Sequence, residues 1–209
     1  MPFVKVTAPT STPISLMEAK AQIRELNTYE DSLINSKIKA ATEMFEQYTN
    51  RALVSQTWEW TGIDWPGLIW FAGTGAQRFT WPVDTMIDQA GWFMLRPAPL
   101  ATVNSVKVWS SGSQQTLSST QYLVDTKGMP GRMRFTGSLP SPDDRADAIT
   151  INFTCGYAST DVIPEDAKEW IKMTTATLCE VRQQYLTGTQ MVNLESYMNN
   201  IIAKYCLPF

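Results

Sequence analysis

Residues 34–61 read INSKIKAATEMFEQYTNRALVSQTWEWT, and the periodicity of the chain changes inside this stretch. Ile34, Ile38, Ala41, Phe45 and Tyr48 step by 4, 3, 4 and 3, which lays one apolar stripe along a helix. After Arg51 the spacing falls to two. Val54–Thr61 roughly alternates apolar and polar residues and is rich in β-formers, so it predicts a strand. A helix therefore hands over to a β segment within a few residues.

Upstream of this switch, Ser15-Leu16-Met17-Glu18 has the form of a capping box: a hydroxyl for one free N–H and a Glu three residues on that reaches back. Leu16, Ala19, Ile23 and Leu26 then fall at helical spacing, which predicts a short helix over about 15–26. Asn27-Thr28 breaks it, and Thr28 followed by Asp31 offers a second cap for a helix over about 29–49. The two helices read as an antiparallel pair. Residues 1–14 carry Pro2, Pro9 and Pro13 among Thr and Ser and read as an extended arm, either disordered or laid along a neighbouring subunit.

Downstream, residues 62–91 hold five of the eleven glycines and Trp65, Trp70 and Trp81, with Arg78 as the one basic residue. This segment reads as a long loop or hairpin. Short strands are predicted at 93–96, 103–109, 122–125, 132–135 and 148–155. Ser110–Ser113 reads as a turn. Pro130-Gly131 occupies the centre of a predicted type II turn with Gly at positive φ. Pro164 then opens a third helix, with Glu165 and Asp166 at its positive end, running to about Leu186. A fourth is predicted over about 194–204, followed by the apolar tail Cys206-Leu207-Pro208-Phe209.

The predicted class is α+β: a bundle of about four helices with a β-rich insertion between helices two and three. The arm takes 1–14 and the helical hairpin 15–53. The insertion takes 54–161, with its aromatic loop at 62–91. The C-terminal helices and tail, 162–209, form one structural unit with the hairpin.

Composition narrows the function. The 209 residues include no histidine, which excludes Ser-His-Asp and Cys-His triads and His-ligated metal sites. Seventeen basic against 20 acidic residues leave a net charge of −3, a poor balance for gripping a phosphate backbone. The three cysteines are widely spaced and read as reduced thiols. No apolar run reaches the roughly 18–20 residues of a membrane span, so no membrane partner is expected. The first residues lack the features of a signal peptide, so synthesis in the cytoplasm is expected.

No catalytic constellation emerges. Gly73-Thr74-Gly75 lacks the Gly-Lys-Ser/Thr of a phosphate loop, and no serine sits in a nucleophile elbow. Asp143, Asp144 and Asp147 read either as solvated loop carboxylates or as a divalent-cation site. No enzyme activity, metal or cofactor is expected. Lys127, Arg132 and Arg134 form the densest basic cluster outside the helices, either a solvated hairpin tip or a contact to phosphate. The loop tryptophans bury either against a partner or beneath the loop as a satellite core.

Several stretches resemble the head–tail connector (adaptor) proteins of tailed double-stranded DNA bacteriophages. Pro13–Lys20 (PISLMEAK) is similar to that family's opening P-[IV]-[ST]-L-x-E-A-K, and Tyr48–Trp58 (YTNRALVSQTW) to its helix-two exit. Leu95–Leu100 with Val103–Val106, Pro130-Gly131-Arg132, Cys155-Gly156-Tyr157 and Ile163–Lys168 follow in the family's order. The match spans about 13–185. Residues 62–91 are longer and more aromatic than the family's connection, and the segment after Gly188 matches loosely.

The resemblance implies a structural virion protein: a ring, usually of twelve copies, docked beneath the portal protein in the neck between head and tail. The ring would extend the DNA channel without binding DNA specifically, and carry the next neck, stopper or tail protein. Tyr205, Leu207, Pro208 and Phe209 are the expected portal anchors. Trp65, Trp70 and Trp81 are expected at a subunit or neck interface, and Lys127, Arg132 and Arg134 at the lumen or subunit boundary. The alternatives are another neck component, such as a stopper or tail-completion protein, and a soluble ligand-binding or hydrolytic domain.

Overall fold

The computed structural model of the protein describes residues 3–25, 27–66, 91–180 and 195–207. The chain divides into two compact units. One takes Pro9–Ser55 and Tyr157–Leu207; the other takes Met1–Ala8, Gln56–Gly156 and Pro208–Phe209.

The first unit is helical: α1 (Leu16–Ile23), α2 (Asp31–Thr49), α3 (Glu165–Glu180) and α4 (Glu195–Tyr205). The capping box on α1 is made in both directions. The Glu18 N–H donates to Ser15 Oγ at 3.2 Å, and the Ser15 N–H donates to the Glu18 carboxylate at 2.6 Å. The Ser15 N–H, with the Ser15 hydroxyl donating to the same oxygen at 2.7 Å, holds the Glu18 carboxyl below its usual range. α1 stops at Ile23, because Arg24 turns left-handed (φ 61°) and its N–H folds back to the Lys20 carbonyl. Leu26 lies outside the described residues.

α2 begins at Asp31 rather than at Tyr29, and the expected Thr28 cap is not made. Glu30 takes the N-cap position without a side-chain capping bond, and the Thr28 carbonyl accepts the Asp31 N–H. The Asp31 carboxylate instead receives Lys20 Nζ at 2.7 Å, which pins α1 to α2. Ile34, Ile38, Ala41 and Phe45 face the core as their spacing requires. Tyr48 does not: it is 50% exposed, and the neighbouring Thr49 is buried in its stead. Phe45 lies edge-on to Trp170 at 5.4 Å and tilted against Tyr205 at 5.8 Å, so one ring joins α2, α3 and α4. The predicted continuation of the third helix to about Leu186 lies outside the described residues, as does the predicted start of the fourth at 194.

The second unit holds two antiparallel sheets. The larger has β1 (Phe3–Thr7), β2 (Gln56–Gly62), β8 (Ile149–Cys155), β4 (Leu100–Ser110) and β5 (Ser113–Thr116), in that spatial order. The smaller has β3 (Phe93–Met94), β7 (Arg132–Phe135) and β6 (Tyr122–Asp125), in that order. β8 is the central strand. Its Ile149, Ile151, Phe153 and Cys155 are fully buried, while Thr150, Asn152 and Thr154 turn to the half-exposed face. Each fully buried large apolar side chain stabilises the unit by roughly 1.5–3 kcal/mol.

Three expectations for this unit are corrected. Residues 3–7 are not a free arm. Phe3, Val4 and Lys5 pair with Trp60, Glu59 and Trp58, and the Phe3 ring meets Phe153 edge-on at 6.0 Å. Apolar and aromatic contacts thus order a segment whose flanking prolines suggest a loop. The expected turn at Ser110–Ser113 is made, with Ser111 (φ 54°) and Gly112 (φ 75°), both left-handed, at its centre, as a tight two-residue hairpin requires. β5 then continues where no strand is predicted. Gly131 does not adopt positive φ. Its need for glycine is one of space, since a Cβ there would lie 2.3 Å from Leu100 Cβ.

Candidate functional site

Two of the predicted tail anchors, Tyr205 and Leu207, lie in the helical unit. Tyr205 (7% exposed) and Leu207 (4%) are buried there. The Tyr205 phenol donates to the Asp166 carboxylate in the first turn of α3. Lys204 Nζ reaches the other oxygen of the same carboxylate at 2.5 Å. Arg51, just beyond α2, donates Nε–H to the Tyr205 carbonyl at 2.8 Å, and its guanidinium lies 5.2 Å from the Tyr205 ring centre. A cation placed on the last carbonyls of α4 also suits the negative end of that helix. Finally the Leu207 N–H donates to the Thr49 carbonyl at 3.3 Å.

This is a clasp that ties the end of α4 to α2 and α3. Tyr205 and Leu207, expected as portal anchors, are thus buried and hydrogen-bonded within the chain. Pro208 and Phe209 lie outside the described residues. Burial raises the Asp166 carboxyl, but the Lys204 and Tyr205 hydrogen bonds and the Lys204 charge outweigh it and hold it below its usual range. Burial, with the Asp166 hydrogen bond and charge, pushes the Tyr205 phenol up to about 12.

Of the three loop tryptophans, Trp65 is described; Trp70 and Trp81 lie outside the described residues. Trp65 is 5% exposed, its ring centre 4.8 Å from that of Phe135, and its indole N–H donates to the Pro140 carbonyl at 2.9 Å. Within the chain it packs against Phe135 and Pro140, as the satellite-core alternative requires. An indole buries well where both its ring and its N–H find partners in the chain.

The basic cluster is split. Arg132 Nε lies 3.0 Å from the Asp125 carboxylate, and its guanidinium lies over Trp92 at 5.1 Å. The Arg132 bond, with the Lys127 and Gly128 N–H groups, holds the Asp125 carboxyl below its usual range. Lys127 and Arg134 are exposed. They stand beside exposed Leu123 (53%) and Met129 (53%), so this hairpin presents two cations on a partly apolar surface.

Two of the three loop carboxylates, Asp143 and Asp147, are occupied. Asp143 accepts the N–H groups of Ser111 and Gly112, each at 2.9 Å, which fixes the β4–β5 turn. Asp147 takes a two-pronged contact from Arg145 at 2.6 and 2.8 Å, and the same guanidinium stacks on Trp109 at 4.1 Å. The outer face of the large sheet is mostly neutral and polar. Asn104 bonds to Asn152 at 2.8 Å and to Thr154 at 3.0 Å. A shallow concavity of about 500 Å³ lies on this face, lined by Glu59, Lys107 and Asp147 with Thr, Ser, Asn and Gln side chains.

Sequence reasoning missed Arg51 and Asp166 as the centre of the clasp. The available signal was a cation one residue past the Asn50 that ends α2, together with an acidic first turn on α3. Their partner lies at the far end of the chain, which local pattern does not reveal.

No protein-family model matches the chain, and no curated protein matches it. Solved structures do. A chain in the neck of an empty gene transfer agent (GTA) particle, computed with six-fold symmetry, aligns with a TM-score of 0.73 at 21% identity. A chain in the virion of the native GTA particle aligns with a TM-score of 0.74 at 19% identity. A chain in the native neck computed with twelve-fold symmetry aligns with a TM-score of 0.68 at 18% identity. Each alignment covers 100% of this chain and 97% of the other. At these identities the likeness establishes a shared fold over the full length.

Proposed function

We propose that the protein is a structural component of the neck of a phage-like particle, a ring-forming head–tail adaptor. The observation that carries this reading is the end-to-end fold match with chains of GTA necks, computed with six-fold and twelve-fold symmetry. In this reading about twelve copies dock on the portal protein, extend the DNA channel, and carry the next neck or tail protein. The family resemblance over about 13–185 points the same way.

The chemistry of the chain agrees. Its outer sheet face is largely amide and hydroxyl, and its net charge is −3, which suits a conduit through which DNA slides. A closed ring needs a heterologous interface, with two different patches on each copy. The helical clasp sets where the tail leaves α4, and Pro208 and Phe209 then become the tail residues offered to the portal.

The test is to assemble particles without this protein. Filled heads and separate tails that fail to join are expected. Joined, infectious or transfer-competent particles would refute a neck role. Deleting only Pro208 and Phe209 then separates adaptor from stopper: loss of the protein from the portal vertex is expected for the adaptor, and unchanged occupancy would refute portal anchoring by the tail.

A further inference from the structure

Resting on the ring reading above, we infer that neighbouring copies meet through opposite charges: the β6–β7 hairpin of one copy docks on the turn before α3 of the next. The hairpin offers Lys127, Arg134 and Leu123. The receiving turn offers Asp161, Val162 and Glu165.

The hairpin presents two cations beside an apolar side chain. Leu123 stands opposite Arg134 in the β6–β7 register, and Asp125 opposite Arg132, so these four share one face of the small sheet. Leu123 is 53% exposed, and Arg134 is exposed beside it. Asp125 is neutralised by Arg132 and accepts the Lys127 and Gly128 N–H groups, which fixes the turn that carries the exposed Lys127. Among the described residues neither Lys127 nor Arg134 enters an ion pair. The opposite face holds buried Met133 and Phe135, which anchor the hairpin.

The turn before α3 is the complement. Thr160–Val162 forms one short helical turn, in which the Val162 and Ile163 N–H groups donate to the Ser159 and Thr160 carbonyls, each at 3.3 Å. Ile163 is buried and anchors this turn. Val162 next to it is 61% exposed, the most exposed of the described valines, leucines and isoleucines. Asp161 is exposed. The Glu165 carboxylate takes Lys168 Nζ at 2.8 Å, yet its side chain remains 78% exposed, with oxygen lone pairs left for another donor. Ile63 and Asp64 make a smaller neighbour pair of this kind, with one acid, and the Trp65 N–H occupies that acid at 2.7 Å.

The charge pattern selects which patches meet. Hairpin against hairpin sets cation against cation, and turn against turn sets anion against anion, so two-fold self-pairing is disfavoured. Hairpin against turn pairs both signs and covers Leu123 and Val162 together. That contact is heterologous and uses two different patches of each copy, so it repeats around a ring. Backbone bonds and buried neighbours already hold both patches, so docking orders little chain.

The test is complementation between charge-reversed copies in assembled particles. Lys127→Glu with Arg134→Glu makes a copy acidic on both patches, and Asp161→Lys with Glu165→Lys makes a copy basic on both. Each variant alone sets like charges across every contact. Each is expected to be lost from necks while the unassembled protein still unfolds cooperatively on heating. Made together, the two alternate around an even-numbered ring with opposite charges at every contact, and neck occupancy is expected to return. A contact within one copy, or one to DNA, would not be restored by mixing. Normal occupancy of either variant alone, or no recovery when both are made, overturns the contact and leaves the ring reading standing. Absence of the wild-type protein from necks overturns both. If the Asp161 and Glu165 double variant does not fold, Asp161→Lys alone takes its place and is judged by the same outcomes.

Discussion

The Nε–H of Arg51 donates to the backbone carbonyl of Tyr205 at 2.8 Å, across 154 positions of sequence. The bond is buried and charge-assisted, and it closes the end of α4 against the exit of α2. Arg51→Ala leaves that carbonyl without its donor and removes the stacked cation. A loss of about 1.5–3 kcal/mol is expected in chemical denaturation. Arg51→Lys keeps the charge but not the planar fork, and should fall between the two.

The clasp also gives stability a pH dependence with two signs. The Asp166 carboxyl is held below its ordinary 3.8, so its contribution is present above about pH 4 and is lost as pH falls through the folded value. The Tyr205 phenol is raised from 10.0 to about 12, so its contribution is present below pH 10 and is lost as pH rises toward 12. Thermal midpoints measured from pH 3 to 12 should fall at both ends. Tyr205→Phe should flatten the alkaline limb, and Asp166→Asn should flatten the acid limb while only reducing the alkaline one, since burial of the phenol remains.

Two glycines separate space from backbone conformation. Gly131→Ala places a Cβ 2.3 Å from Leu100 Cβ in a packed region, and should cost about 1–3 kcal/mol or more through displacement of β7 or β4. Gly112→Ala meets nothing within 4 Å but must hold φ at +75°, and should cost only about 1 kcal/mol. Equilibrium unfolding of the two variants distinguishes these causes. Equal losses would contradict the packing argument.

Trp65 tests the satellite core. Trp65→Phe keeps a ring against Phe135 but leaves the Pro140 carbonyl without its N–H donor, and should cost about 1–2 kcal/mol. Trp65→Ala should cost about 3–5 kcal/mol. Both losses should appear in the protein before assembly. A normal thermal midpoint combined with failed assembly would return Trp65 to an interface.

Local signals carried most of the element pattern. The Ser15–Glu18 box, the 34–45 stripe and the alternation of Ile149–Phe153 each act over a few residues, and each places its element close to where it lies. β1 and β5 were not legible. Phe3–Thr7 sits between prolines, and Ser113–Thr116 carries no apolar face, so each is a strand only because a neighbour in the sheet supplies the pairing. The same reason hid the clasp. Arg51, Asp166 and Tyr205 meet through the packing of three helices, and no spacing in the sequence encodes that meeting. Trp65 was ambiguous because a tryptophan in a glycine-rich segment buries equally well at home or against a partner. The Pro140 carbonyl and the Phe135 ring supply the partners at home.

The most direct test of the central claim is a reconstruction of the neck of the particle this protein is made with, at a resolution that traces the chain. The account predicts a closed ring of this protein, twelve copies around the DNA channel and directly against the portal. A neck that lacks this chain, or that holds it as an open or single-copy component, would contradict it.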